Sequence, residues 1–245
     1  MVDYTEQARM RAGTATRSQA EIDQGLRSYM LGIYNYMTIA MVITGGVAMG
    51  FANWMIADPS VAQAVFGTGL RWVVMLLPLA FVMVMSFGMN RMSSSTLRLI
   101  FFVYSAAMGV SLSSIFLLYS GASIAQTFFV TATAFAGLSL FGYTTKRNLS
   151  GMGSFLMMGL IGLIVAMLVN IFLQSSALMF AINVIGVLIF AGLTAWDTQR
   201  LKHMYDVVAH NGEAMAKTSI MGALSLYLNF VNMFMFLLSF MGNRE

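Results

Sequence analysis

Asp197 is the acid in this chain best placed to do chemistry. It ends a run of 49 residues, 148–196, that holds no Asp, Glu, Lys or Arg. A carboxylate carried to the edge of so long an apolar run has two uses. It can pair with Arg200, three residues on along the same helix, or it can face an internal cavity, as intramembrane acids generally do. Thr194 and Asn183, three and fourteen residues earlier, fall on roughly the same helix face.

A second polar set lies near the C-terminus. Ser225, Asn229, Asn232, Phe236 and Ser239 recur at steps of four, three, four and three residues. That spacing describes one face of a helix. Amides inside an apolar run need hydrogen-bond partners. The face must therefore look into a bundle, either as bonding between helices or as the lining of a cavity or pore. Arg91, at the end of Phe87-Gly-Met-Asn-Arg91, is either an anchor at the membrane surface or a counter-ion for Asp197.

Other chemistry is poorly supported. Cysteine is absent, which removes disulfides, thiolate catalysis and Cys-ligated metal. His203 and His210, with Asp206 and Glu213, are expected in a loop and match no standard metal-ligand spacing. A retinal protein needs a lysine within the last span, and Lys217 stands at its edge. A buried Ser–His pair and a pair of intramembrane acids are both lacking, and nothing resembles a nucleotide-binding loop. These observations argue against an enzyme. The 24 methionines suit packing gaps, and Gly46-Val-Ala-Met-Gly50 would permit a close helix contact.

The elements that must position these residues are membrane spans. The chain has 245 residues, 59% hydrophobic and 9% charged, too few charges to cover a soluble surface. Charge-free stretches cover 28–57, 72–90, 99–145, 148–196 and 218–243. A spanning helix needs about 20 apolar residues, so the two longest stretches hold two spans each. Turn signals at Tyr119-Ser-Gly-Ala-Ser and at Gln174-Ser-Ser divide them. The sequence predicts an all-α integral membrane protein with seven spans near 29–53, 72–90, 99–119, 125–144, 152–173, 177–198 and 219–241. Residues 1–27 are expected to form a flexible polar tail and residues 28–245 the membrane domain.

Of the 13 Lys and Arg residues, 11 fall in the tail and alternate loops on one side, leaving Arg71 and Arg244 on the other. The positive-inside rule then places the N-terminus in the cytoplasm and the C-terminus outside. The same asymmetry accounts for the net charge of +4 and makes a nucleic-acid partner unnecessary. The first apolar run is long enough to stay as a span rather than act as a cleaved signal.

Asn183-Val-Ile-Gly-Val-Leu-Ile-Phe-Ala-Gly-Leu-Thr-Ala-Trp-Asp197-Thr-Gln-Arg-Leu-Lys resembles the bacterial branch of the Bax-inhibitor-1 family, the transmembrane Bax inhibitor motif proteins. So does Ala223-Leu-Ser-Leu-Tyr-Leu-Asn229-Phe-Val-Asn-Met-Phe-Met-Phe-Leu-Leu238. The resemblance extends over about residues 28–242. It implies a last helix wrapped by the other six, a bacterial inner membrane, and a calcium leak closed by a pH-sensitive pair of acids. An arginine on the second span would latch that pair.

Carried over residue by residue, Asp197 is the first acid and Arg91, or else Arg98, the latch. Asp197 is also the expected contact for calcium, as a permeating or bound ion. Asn229 stands where the family's Leu-Ser-Leu-Tyr-Leu-Asp pattern has its second acid. Losing that carboxylate removes the repulsion that lets such a pair titrate near neutrality, so a weaker response between about pH 6 and 8 is expected. Ser225, Asn232, Thr194 and Asn183 are the expected cavity lining. The alternative function is an interaction protein that modulates a membrane-anchored ATP-dependent protease through the N-terminal tail. A proton-coupled transporter is third, because helices broken by Gly or Pro at mid-membrane are not evident.

Overall fold

A computed structural model describes residues 19–243. Its helices are α1 (Gln19–Ala57), α2 (Pro59–Phe66), α3 (Leu70–Gly88), α4 (Ser94–Leu112), α5 (Gly121–Thr144), α6 (Ser150–Leu173), α7 (Ser176–Val208) and α8 (Gly212–Met241). A 3-10 turn, Ser113–Leu117, prolongs α4. All but the short α2 are long and apolar enough to cross a membrane, which gives the seven spans the hydropathy predicts.

The breaks inside the two long apolar stretches are made by local capping. Ser120 accepts from the Ser123 amide to start α5, and Ser175 accepts from the Leu178 amide to start α7. Between α6 and α7, Gln174 takes a left-handed backbone (φ 47°). The adjacent turn is held by the Ser175 amide donating to Asn170 Oδ1 at 3.1 Å.

Two boundaries differ from the sequence expectation. Helix α1 begins at Gln19, so residues 19–27 of the expected tail continue the first span; residues 1–18 lie outside the described residues. Helix α7 continues ten residues past the expected end at 198. Leu201, Tyr205 and Val208 remain buried there at helical spacing, so the amphipathic pattern outlasts the apolar run. His203 is therefore an exposed helical residue, not a loop residue, and only 209–211 connect α7 to α8.

Helix α8 is the most buried of the seven spans and packs against α1, α4, α5 and α7. Helices α3 and α6 rest chiefly on α4 and α7 and face α8 across cavities. The outer surface is apolar, with Phe172 87% exposed and Phe155 73% exposed, which suits contact with lipid.

Close approaches occur at particular glycines. A Cβ on Gly142 of α5 would run into the Ala195 carbonyl of α7. Gly142→Ala is expected to push these helices apart and lower the thermal midpoint in detergent, at a cost of about 1–3 kcal/mol. Gly137→Ala is the control, because its Cβ would meet nothing within 4 Å. An unchanged midpoint for Gly142→Ala would contradict the packing. Gly46 and Gly50 also have nothing within 4 Å of a Cβ, so the expected small-residue contact is not made there. On α1 the tight contact is instead with Gly109 of α4, whose Cβ position lies 2.7 Å from the Thr44 carbonyl.

A buried polar knot ties three spans beside that contact. Thr44 Oγ1 donates to the Ser105 carbonyl at 2.8 Å. The Tyr227 hydroxyl, 2.7 Å from the same oxygen, must then be the donor to it.

Candidate functional site: the Asp197 cluster

Asp197 projects from α7 toward α8 and is 4% exposed. Its Oδ2 accepts from Ser225 Oγ at 2.8 Å and from Asn229 Nδ2 at 2.8 Å. Ser225 and Asn229 are one turn apart on α8, so a single face presents both donors to one oxygen. The other oxygen, Oδ1, lies 2.8 Å from the Arg200 guanidinium, as an ion pair without the alignment of a hydrogen bond. Arg200 also lies over the Trp196 ring, 4.8 Å from its centroid. Gly153 of α6 leaves room for that indole, since a Cβ there would collide with it. The two sequence readings of Asp197 are thus both realised. It pairs with Arg200 at i,i+3 and it faces a cavity.

Two cavities meet at this cluster. One, of about 490 Å³, lies between α6, α7 and α8, with apolar walls from Met157 to Phe236 and polar groups Asp197, Asn229 and Asn232. The other, of about 280 Å³, lies between α3, α7 and α8 and reaches Met204 and Thr218. Arg200, Ser225 and Leu228 line both. Along α7 and α8, the remaining residues of the first cavity lie to one side of this trio and those of the second chiefly to the other. The ion pair therefore stands between two cavities arranged along the helix axes.

The other expected residues fall in different places. Arg91 is exposed in the turn after α3, its backbone amide bonded to Gly88, and Arg98 is exposed on α4. The counter-ion of Asp197 is Arg200, and the pairing expected from Arg91 is not formed. Asn232 lines the larger cavity while donating to the Leu228 carbonyl on its own helix. Thr194 is fully buried and bonds back to the Phe190 carbonyl, and Asn183 donates to Ser239 Oγ at 3.0 Å; neither lines these cavities. Phe236 stacks on Phe190 with centroids 5.9 Å apart at the far end of the larger cavity.

As a resident calcium site the cluster is poor. Calcium takes about six to eight oxygen ligands, and here a lone carboxylate already holds a guanidinium. Among the described residues, no group of three or more His, Cys, Asp or Glu could hold a metal.

Sequence reasoning missed the contacts that fix the α7 end of the site. Gln199 accepts from the Leu149 amide and donates to the Arg147 carbonyl, both at 2.8 Å, and Lys202 Nζ donates to the Tyr143 carbonyl at 2.9 Å. These bonds link residues more than 49 positions apart, and no local pattern marks them.

Fold and site together define a multi-pass α-helical membrane protein with a buried carboxylate held between its last two spans. The family described as "Inhibitor of apoptosis-promoting Bax1" matches residues 26–245, and the chain belongs to that family. It is 49% identical to a Caulobacter vibrioides protein, over 94% of this chain and 95% of the relative. It is 45% identical to a Rickettsia prowazekii protein over the whole of both chains. It is 44% identical to the Escherichia coli "Inner membrane protein YbhL", over 90% of this chain and 94% of that one.

Proposed function

We propose that the chain is a passive cation pathway, with calcium as the permeant, closed at the Asp197–Arg200 pair. The observation that carries this is the position of Arg200 and Ser225 in the linings of two successive cavities. A path along α7 and α8 through both cavities would pass this pair. The apolar walls carry no charge of their own, so Asp197 and Arg200 set the electrostatics of the constriction. The basic ends of the spans face the cytoplasm in this proposal, with the C-terminus outside, in a bacterial inner membrane.

The test is calcium entry into liposomes that hold a calcium dye. Asp197→Ala leaves Arg200 as the only charge among the described residues at the constriction, so calcium entry is expected to fall to the protein-free rate. No calcium entry by the parent at pH 6, 7 or 8, in protein shown to be folded, would sink the pathway. Function would then move to modulation of a membrane-anchored protease, which removal of residues 1–27 should abolish.

A further inference from the structure

We propose that the groove between α1, α5 and α8 is a binding site for one anionic phospholipid from the basic face of the membrane. The groove has a volume of about 480 Å³ and is lined mainly by apolar and aromatic side chains, including Met30, Met37, Phe135 and Phe230. Helices α1 and α5 make little direct contact and flank it like two posts, while α8 forms its floor. An acyl chain fits such a slot, because lipid is the solvent on this surface and the walls offer few hydrogen bonds.

Two observations separate this slot from ordinary lipid-facing surface. The first is Ser139, a residue of the groove wall that is 6% exposed and whose buried hydroxyl has no hydrogen-bond partner among the described residues. A hydroxyl buried among apolar groups costs free energy until something bonds it. A lipid ester carbonyl is an acceptor that belongs at that depth, one turn inside Tyr143. The second is charge at the mouth. Tyr143 ends the groove on α5, and Lys202 sits 4.9 Å from its ring centroid. Exposed Lys146 follows three residues later, and exposed Arg27 stands one turn before Leu31 on α1. Among the described residues, no carboxylate lines the groove. The nearest acid along α1, Asp23, lies a further turn toward the basic face. Cations over an apolar slot with a free hydroxyl inside match a phosphate headgroup, its ester and its chain in that order.

The site stands apart from the Asp197 cluster, so the proposal does not depend on ion conduction. Native mass spectrometry of the full chain tests it, with phosphatidylglycerol and phosphatidylcholine added in equal amounts. The parent should retain one phosphatidylglycerol at least about fivefold over phosphatidylcholine. Thr38→Trp, at an exposed position on the groove wall, should reduce that retention to the level of phosphatidylcholine without unfolding the chain. The pair Arg27→Gln with Lys146→Gln should lower phosphatidylglycerol retention and leave phosphatidylcholine unchanged. Equal retention of the two lipids by the parent, or preference untouched by Thr38→Trp, would overturn the proposal. A dimer that Thr38→Trp dissociates would overturn it too, by giving the groove to a second copy.

Discussion

Arg200→Gln is expected to raise calcium entry into liposomes by at least about tenfold. The substitution removes the guanidinium at the constriction and leaves Asp197 held by Ser225 and Asn229. A unit charge about 6 Å from a passing cation acts with on the order of 3 kcal/mol per unit of cation charge at an effective dielectric near 20. Tenfold corresponds to about 1.4 kcal/mol and is a conservative reading of that change. The shorter side chain also opens the partition between the two cavities. Stability should fall by an amount between the roughly 1 kcal/mol of an exposed pair and the 3–5 kcal/mol of a fully buried one, since Arg200 is 44% exposed. Asp197→Ala and Arg200→Gln must act in opposite directions on calcium entry. If both lower it, or neither moves it while the protein stays folded, the pair is only a structural bond.

Asn229→Asp should convert a weakly pH-dependent protein into a strongly pH-dependent one. In the parent, Asn229 Nδ2 donates a hydrogen bond to Asp197 Oδ2 at 2.8 Å. An aspartate there puts two carboxylate oxygens at that separation, and the bond survives only while one of them carries a proton. Two carboxylates so close repel each other when both are ionised and are joined by a hydrogen bond when they share a proton. In the acidic part of the range the shared proton keeps α7 and α8 joined and the path closed. Toward alkaline pH, two negative charges face one guanidinium and push the helices apart. Calcium entry by Asn229→Asp should therefore rise between pH 6 and 8, while that of the parent stays nearly flat. Equal pH profiles for the two would remove Asn229 from the gate.

The number of spans was readable in the sequence because it depends on local quantities. Hydropathy summed over about 20 residues identifies a helix that can cross lipid wherever its neighbours lie. The polar face of α8 was readable for a similar reason, since helical geometry alone aligns Ser225, Asn229 and Asn232. Asp197 stood out because an acid at the edge of an apolar run must be accommodated.

The partners of that acid were decided by tertiary structure. Arg91 and Arg200 both carry a cation near the same membrane face, and sequence cannot choose between them. Distance chooses, and it depends on how α3, α7 and α8 are rotated about their axes. Thr194 and Asn183 share a face with Asp197 on paper, yet Thr194 turns to its own backbone and Asn183 is taken by Ser239. The cavities are likewise products of packing, left where α3 and α6 lean on α4 and α7 instead of closing on α8. Helix periodicity is written along the chain, whereas the space between helices follows from which faces meet.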